Sequence, residues 1–386
     1  MQKKKVAVVA GTRPECIKMA PVYFELLRSE VVQPVFLATA QHRQMLDQTL
    51  GVFGIVPEHD FNLMQPGQSL ADLTGRVITA VSDWCAREQP AAMLVQGDTT
   101  TVLASSIAAF YHRVPVGHVE AGLRTGDMQS PFPEEMNRRL TTPLAEWHFC
   151  PTDLSRDNLR KESIPDAQIH VTGNTVVDAL LWVRDQLDAK GVTVASLASS
   201  TKIPHAFVER FLSRPESRWI LVTGHRRESF GGGFERMCQA IAELARRYPD
   251  VGILYPVHLN PNVREPVNRL LGSNPAIALV EPADYLHFVA LMDRCTFMLS
   301  DSGGVQEEAP SLGKPVLVMR ETTERPEGVD AGTCRLVGTD PQKILHEASL
   351  LLDDSDEYRR RSSLANPYGD GQAAQRIRRI LEAALA

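Results

Sequence analysis

The strongest constraint on the fold is a repeated alternation. Short runs rich in Val, Ile and Leu occur at 5–10, 35–39, 92–96, 116–120, 147–150 and 169–172, then again at 219–223, 252–257, 277–280, 296–300 and 315–319. Helical spacing fills the gaps. Ile17, Ala20, Phe24 and Leu27 share one helix face, as do Met237, Ile241, Leu244 and Tyr248. Strands that are apolar on both faces need cover on both sides, and the intervening helices supply it. The chain therefore reads as α/β with doubly wound parallel sheets. A second pattern sets their number. Val9-Ala10-Gly11-Thr12-Arg13-Pro14-Glu15 lies over Val222-Thr223-Gly224-His225-Arg226-Arg227-Glu228, each copy closing a strand pattern and opening a helix. With 386 residues, room for two or three cores, this predicts two Rossmann-like domains, 1–172 and 173–365. A last helix from about 370 to 386 would pack on either one. Residues 188–201, small and polar, read as a surface connection. Two such sheets facing each other would bring their strand C-termini to one cleft, where open α/β sheets bind ligands.

Composition removes several functions. Lys+Arg 41 against Asp+Glu 47 leaves a net charge of −6, which disfavours a broad nucleic-acid face but not a small anion held by local cations. No run approaches the length of a membrane span. The charged Met1–Lys5 start leads into an apolar run that stops at Gly11, too short for a secretion signal, so a cytoplasmic protein is expected. Cys16, Cys85, Cys150, Cys238, Cys295 and Cys334 show no CxxC and no zinc spacing. Free buried thiols and no metal site follow. Asp354-Ser355-Asp356 has the spacing of a metal-held nucleotide site, but sits in an acidic run away from any strand end and reads as a solvated helix start.

The chemistry-bearing residues collect at strand ends. Ser302-Gly303-Gly304 follows a strand and precedes a helix starting near Val305, so free backbone N–H groups and the helix dipole could hold a diphosphate. Glu307 and Glu308 then fall in the first turn. One would serve as a helix-start charge, and the other, Glu308 by preference, would accept from ribose hydroxyls. Arg13 and Lys18 surround the helix start after Gly11. Cations there oppose the dipole, which a bound anion would explain. Gln96-Gly97-Asp98-Thr99 ends a strand, with Asp98 or Thr99 available as a helix cap. Glu120 ends the next, and Glu134 opens a helix after a Pro-rich loop. Crowded carboxylates raise one another's pKa, which suits acid/base work. His225, after the Gly224 turn, is either structural or a functional group facing the cleft.

Together these segments resemble the non-hydrolysing bacterial UDP-N-acetylglucosamine 2-epimerase family. The resemblance covers nearly the whole chain: GTRPECIK at 11–18, TAQHRQML at 39–46, GDTTT at 97–101, HVEAGLRT at 118–125, PFPEEMNR at 131–138, TGHRRE at 223–228, SGGVQEEAP at 302–310 and TTERPE at 322–327. It implies a GT-B fold, with the C-terminal helix packing back on the first domain. It also implies cofactor-free interconversion of UDP-N-acetylglucosamine and UDP-N-acetylmannosamine, through elimination of UDP to 2-acetamidoglucal and re-addition. That chemistry would supply activated N-acetylmannosamine for surface polysaccharide. By resemblance Asp98, Glu120, Glu134 and His225 are catalytic. Asp98 and Glu120 are favoured for proton transfer, with Glu134 oriented by Arg138. Arg13, Lys18, His225, Ser302, Gly303 and Gly304 would surround the phosphates, Glu308 the ribose and the Phe288 backbone the uracil, while Arg138 and Arg325 support sugar and phosphate. The family also implies a homodimer and activation by UDP-N-acetylglucosamine at a second site, lined here by Gln41, His42 and Gln44. Two departures stand out: no basic residue lies near Gly67, and Ala283 replaces a glutamine found near the uracil in some members. The same chemistry on a uronic or diamino UDP sugar, a GT-B glycosyltransferase and a non-catalytic nucleotide-sugar sensor are the competing readings.

Overall fold

The structure is a computed structural model that describes residues 2–39, 43–65, 67–214, 216–224 and 231–386, except the side chains of Arg43 and Gln44. The chain forms two compact units, Met1–Ala179 with Tyr368–Ala386, and Leu180–Pro367.

In unit 1 the strands are β1 (Lys4–Ala10), β2 (Val32–Ala38), β3 (His59–Asp60), β4 (Ala92–Gln96), β5 (Val116–Val119), β6 (Trp147–Cys150) and β7 (Ile169–Val171). Among the described residues they make one sheet in the order β3-β2-β1-β4-β5-β6-β7, and every strand pair is parallel. Unit 2 carries β8 (Arg218–Thr223), β9 (Val251–Pro256), β10 (Ile277–Val280), β11 (Phe297–Ser300), β12 (Val316–Val318) and β13 (Cys334–Leu336). Their order is β10-β9-β8-β11-β12-β13, again parallel throughout. In each sheet the direction of strand addition reverses once, between β1 and β4 and between β8 and β11. At such a reversal the loops at the strand C-termini part and leave a crevice.

The apolar runs are buried as their composition requires. Val6, Ala7, Val8 and Ala10 of β1 are fully covered, and so are Leu221 and Val222 of β8. Helix Leu70–Glu88 turns Leu73, Val77, Val81 and Trp84 onto the unit 1 sheet, the three-to-four-residue spacing of one helix face. All six cysteines are buried and unpaired. Among the described residues no helix is long and apolar enough to cross a membrane.

Three details differ from the sequence reading. β3 and β13 are edge strands of two and three residues, too short to leave an apolar run. The division between the units falls at 179/180 rather than 172/173. The first turn of helix Thr175–Gln186 is tied into unit 1, where Asp178 accepts from the backbone N–H groups of Ala373 at 3.3 Å and Ala374 at 2.8 Å. Burial pushes the Asp178 carboxyl up to about 6 despite those bonds. The supposed connection at 188–201 contains a helix, Val194–Thr201, capped by Thr193 and anchored by buried Leu197. Its other positions are small and polar, which hides the periodicity. Helix Ala373–Leu385 buries Ile377 and Leu381, and Arg378 pairs with Glu25 of helix Arg13–Leu27 at 3.5 Å.

Candidate active site

The turn after β1 is held by close packing. A Cβ on Gly11 would collide with the hydroxyls of Thr39 and Thr101, which are themselves hydrogen-bonded at 3.0 Å, so only glycine fits. Thr12 and Glu15 form a capping box on helix Arg13–Leu27. Glu15 accepts from the N–H of Gly11 at 2.6 Å and of Thr12 at 2.7 Å, and from the Thr99 hydroxyl in the turn after β4. Burial raises the Glu15 carboxyl above the usual range. One buried carboxylate thus joins the two turns that flank the strand-order reversal. Arg13 is exposed at the helix start.

Asp98 and Glu120 follow the neighbouring strands β4 and β5, and Glu134 opens helix Glu134–Thr141. Thr99, not Asp98, caps helix Thr100–Tyr111, which leaves the Asp98 carboxylate to an ion pair with Arg138. Asn137 adds a bond from Nδ2 to the Asp98 carbonyl at 2.9 Å. Arg138 also binds Glu135 at 3.1 Å, and buried Glu135 accepts from the N–H groups of Thr125 and Gly126. Arg138 therefore orients Asp98, and the expected pairing with Glu134 is absent. Glu135, fully buried on the same helix, takes that place. Glu134 Oε2 is buried without a hydrogen-bond partner, a costly condition that leaves an acceptor unclaimed.

Glu120, the first residue after β5, has φ +65°. A side chain in the left-handed region costs on the order of 1 kcal/mol and persists where its surroundings hold it. Here they do: Lys18 forms an ion pair with the carboxylate, Gln96 donates through Nε2, and Asn174 Nδ2 donates to Oε1 at 3.3 Å. Lys18, expected near phosphate, thus meets Glu120 in unit 1. Behind the carboxylates, buried His118 holds the Gly97 carbonyl through Nε2 at 2.7 Å. Burial lowers its pKa to about 4, so the ring is neutral. Because a carbonyl can only accept, Nε2 carries the proton.

In unit 2, helix Gly303–Glu308 begins two residues earlier than its sequence suggests, with Ser302 at the cap. Glu307 and Glu308 consequently lie in its last turn, and neither is a helix-start charge. Glu307 is buried and paired with Arg325, Nε to Oε1 at 2.6 Å. The Arg325 guanidinium lies so close over Gly303 that an added Cβ would come within 2.6 Å of Cζ. Glu308 accepts from the Tyr285 hydroxyl at 2.7 Å, and burial raises that hydroxyl well above its ordinary pKa. Phe288 lies in helix Tyr285–Arg294, its N–H bonded to the Asp284 carbonyl at 2.8 Å. His225, Gln41 and His42 lie outside the described residues, and so does the side chain of Gln44. Among the described residues no group of three or more His, Cys, Asp or Glu is arranged to hold a metal ion.

The sequence reading missed Glu15, Gln96, Glu135 and Asn174. Only the first two-residue pattern, Thr12-x-x-Glu15, carried a local signal, the capping-box spacing. The others act across 24, 54 or a few residues onto groups that only the fold brings near.

Two parallel doubly wound sheets, one edged with carboxylates and the other with a glycine turn, define a two-domain α/β enzyme of the Rossmann-like kind. The family described as UDP-N-acetylglucosamine 2-epimerase matches residues 25–382. The UDP-N-acetylglucosamine 2-epimerase of Escherichia coli (strain K12) is 56% identical over 378 residues, 98% of each chain. The crystal structure of UDP-GlcNAc 2-epimerase from Neisseria meningitidis bound to UDP-GlcNAc is similar with a TM-score of 0.87 and 47% identity, covering 98% of this chain and 99% of that one. The Methanocaldococcus jannaschii enzyme, in complex with UDP-GlcNAc and UDP, gives a TM-score of 0.77 at 30% identity, with 98% and 99% covered. The chain belongs to the UDP-N-acetylglucosamine 2-epimerase family, is an enzyme of that type, and has the GT-B fold of its structural neighbours.

Proposed function

We propose that this chain inverts C2 of UDP-N-acetylglucosamine, giving UDP-N-acetylmannosamine, by elimination and re-addition of UDP. The observation that carries the mechanism is the pair of carboxylates after β4 and β5, Asp98 held by Arg138 and Glu120 held by Lys18, together with Glu134, which opens the helix that carries Arg138 and keeps a buried unclaimed oxygen. C2–H of the substrate has no adjacent carbonyl, so direct deprotonation is too slow to serve. When the C1–O bond breaks, its electron pair leaves with the diphosphate and positive character grows at C1. The C2 proton then passes to a carboxylate as the C1–C2 double bond forms, giving 2-acetamidoglucal. Return of a proton to the opposite face of C2, with diphosphate oxygen attacking C1, completes the inversion.

Asp98 and Glu120 carry the proton transfers, one on each face, and Glu134 hydrogen-bonds the sugar through its free oxygen. Arg13, Lys18, His225, Arg325 and the N–H groups of Ser302–Gly304 neutralise the departing diphosphate, a preorganised field of the kind that dominates such steps. Glu308 and Tyr285 hold the ribose side and the Phe288 backbone the uracil. The same reading carries a cytoplasmic homodimer activated by its own substrate through Gln41, His42 and Gln44.

Proton NMR with UDP-GlcNAc in D2O tests this directly. The expected result is UDP-ManNAc accumulating beside UDP-GlcNAc, with deuterium at C2 of both. Release of free ManNAc and UDP would place the chain with hydrolysing enzymes. An unchanged spectrum from folded protein would overturn the substrate.

A further inference from the structure

Asn174 follows β7 by three residues and immediately precedes helix Thr175–Gln186. It is 2% exposed, and each of its polar groups has a partner. Its N–H donates to the Tyr368 carbonyl at 2.7 Å, and its carbonyl accepts from Val177 at 3.1 Å. Oδ1 accepts from the N–H of Val176 at 3.0 Å, the bond of a helix cap. Nδ2 donates to Glu120 Oε1 at 3.3 Å.

These contacts fix the amide's orientation. Reversing it would set an NH2 against the Val176 N–H and an oxygen against the Glu120 carboxylate, so both neighbours select the same arrangement. Capping alone does not require asparagine, because Asp and Ser cap about equally well. Asp would bring a second negative charge to Glu120, and Ser is too short to reach it. The residue type is explained by the donor it keeps. Its place in the chain adds meaning: residues 174–179 precede the crossing into unit 2, and Tyr368 is the first residue after the return. The backbone bond to Tyr368 and the side-chain bond to Glu120 therefore join both crossing segments to one carboxylate.

We propose that Asn174 is a positioning residue for Glu120, fixing Oε1 opposite Lys18 so that the strained carboxylate stays aimed for proton transfer. This rests on the role given to Glu120 above. Asn174→Asp and Asn174→Ser both keep the helix cap and remove the donor, so both are expected to fold. The experiment measures kcat, KM, UDP affinity and thermal midpoint for these two and for Glu120→Gln. In both Asn174 variants kcat is expected to fall roughly 10–100-fold, the size of one hydrogen bond to a charged group, with the larger fall for Asp. UDP affinity should stay within about twofold, since the bond lies on the acid/base side and not on the phosphate. Activity within about threefold of the native enzyme in either variant, alongside an inactive Glu120→Gln, overturns the positioning role alone. A parallel loss of kcat, UDP affinity and thermal midpoint also overturns it, marking a structural residue. A fully active Glu120→Gln overturns the role of Glu120 and the inference with it.

Discussion

Each unit has an arginine held by two acids, Arg138 by Asp98 and Glu135 and Arg325 by Glu307 and Glu324, and the pairs Asp98–Arg138 and Glu307–Arg325 differ in which member is the more exposed. In unit 1 the Asp98 side chain is 27% exposed and its Arg138 partner 11%. In unit 2 the Glu307 side chain is 2% exposed and Arg325 16%. The acid is the reachable member of the first pair and the cation of the second. An accessible carboxylate steadied by a buried cation can exchange protons with a ligand. An accessible guanidinium steadied by a buried carboxylate can only meet negative charge. On the function proposed above, Asp98 is the member of its pair placed to move a proton and Arg325 the member of its pair placed to meet the diphosphate.

The sharpest break in this comparison is Asp98→Asn. The amide keeps the shape but cannot take a proton, and general acid/base groups contribute about 100- to 10,000-fold. Turnover should fall by about that factor while UDP affinity, measured by calorimetry, stays near native. A variant with native turnover would remove Asp98 from the chemistry, and loss of UDP affinity would erase the division between the units.

Next in size is Gly303→Ala in unit 2. It keeps every charge but pushes the Arg325 guanidinium away from the turn. UDP affinity should weaken about tenfold, the loss of one charge-assisted bond. Turnover at saturating substrate should fall as well, because Arg325 meets charge that grows as the diphosphate departs, whereas Asp98→Asn leaves UDP affinity near native. Unchanged UDP affinity would show that Arg325 does not meet the phosphates.

How much of this was legible in the sequence follows from range. The sheets were visible because β1, β4, β8 and β11 are buried on both faces, so their apolar runs are unbroken. His59-Asp60 and Cys334–Leu336 pair only at edges and left no such mark. Asp98, Glu120 and Glu134 stood out because each follows a strand or opens a helix. What each one touches did not. The choice of Arg138 between Asp98 and Glu134, and the pairing of Lys18 with Glu120, depend on which elements the parallel sheet brings side by side. Local spacing even misled at Glu307, because a helix start two residues early changed its turn.

The smallest expected effect concerns stability, and it too separates the units. His118 on β5 and His148 on β6 are in register and fully buried, whereas β8–β13 carry no histidine. Neither His148 nitrogen has a hydrogen-bond partner. Burial lowers the pKa values from 6.5 to about 4 for His118 and to about 3 for His148. Both rings are neutral in the folded protein and protonate in the unfolded chain below about 6.5. Their contribution to stability is therefore complete above pH 6.5 and is lost as the pH falls toward 4 and 3, each ring at up to about 1.4 kcal/mol per pH unit. Asp178, raised to about 6, has the opposite sign between its unfolded value and 6, but that term is common to native protein and any histidine variant. His148→Leu removes one titrating ring and fills the same apolar space. Between pH 6.5 and 5 its thermal midpoint should fall less steeply than that of the native enzyme, by about 1–2 kcal/mol of stability over the interval. Parallel slopes would mean that His148 is solvated or already paired in the folded state, and unit 1 would then lose its place as the acid-sensitive half.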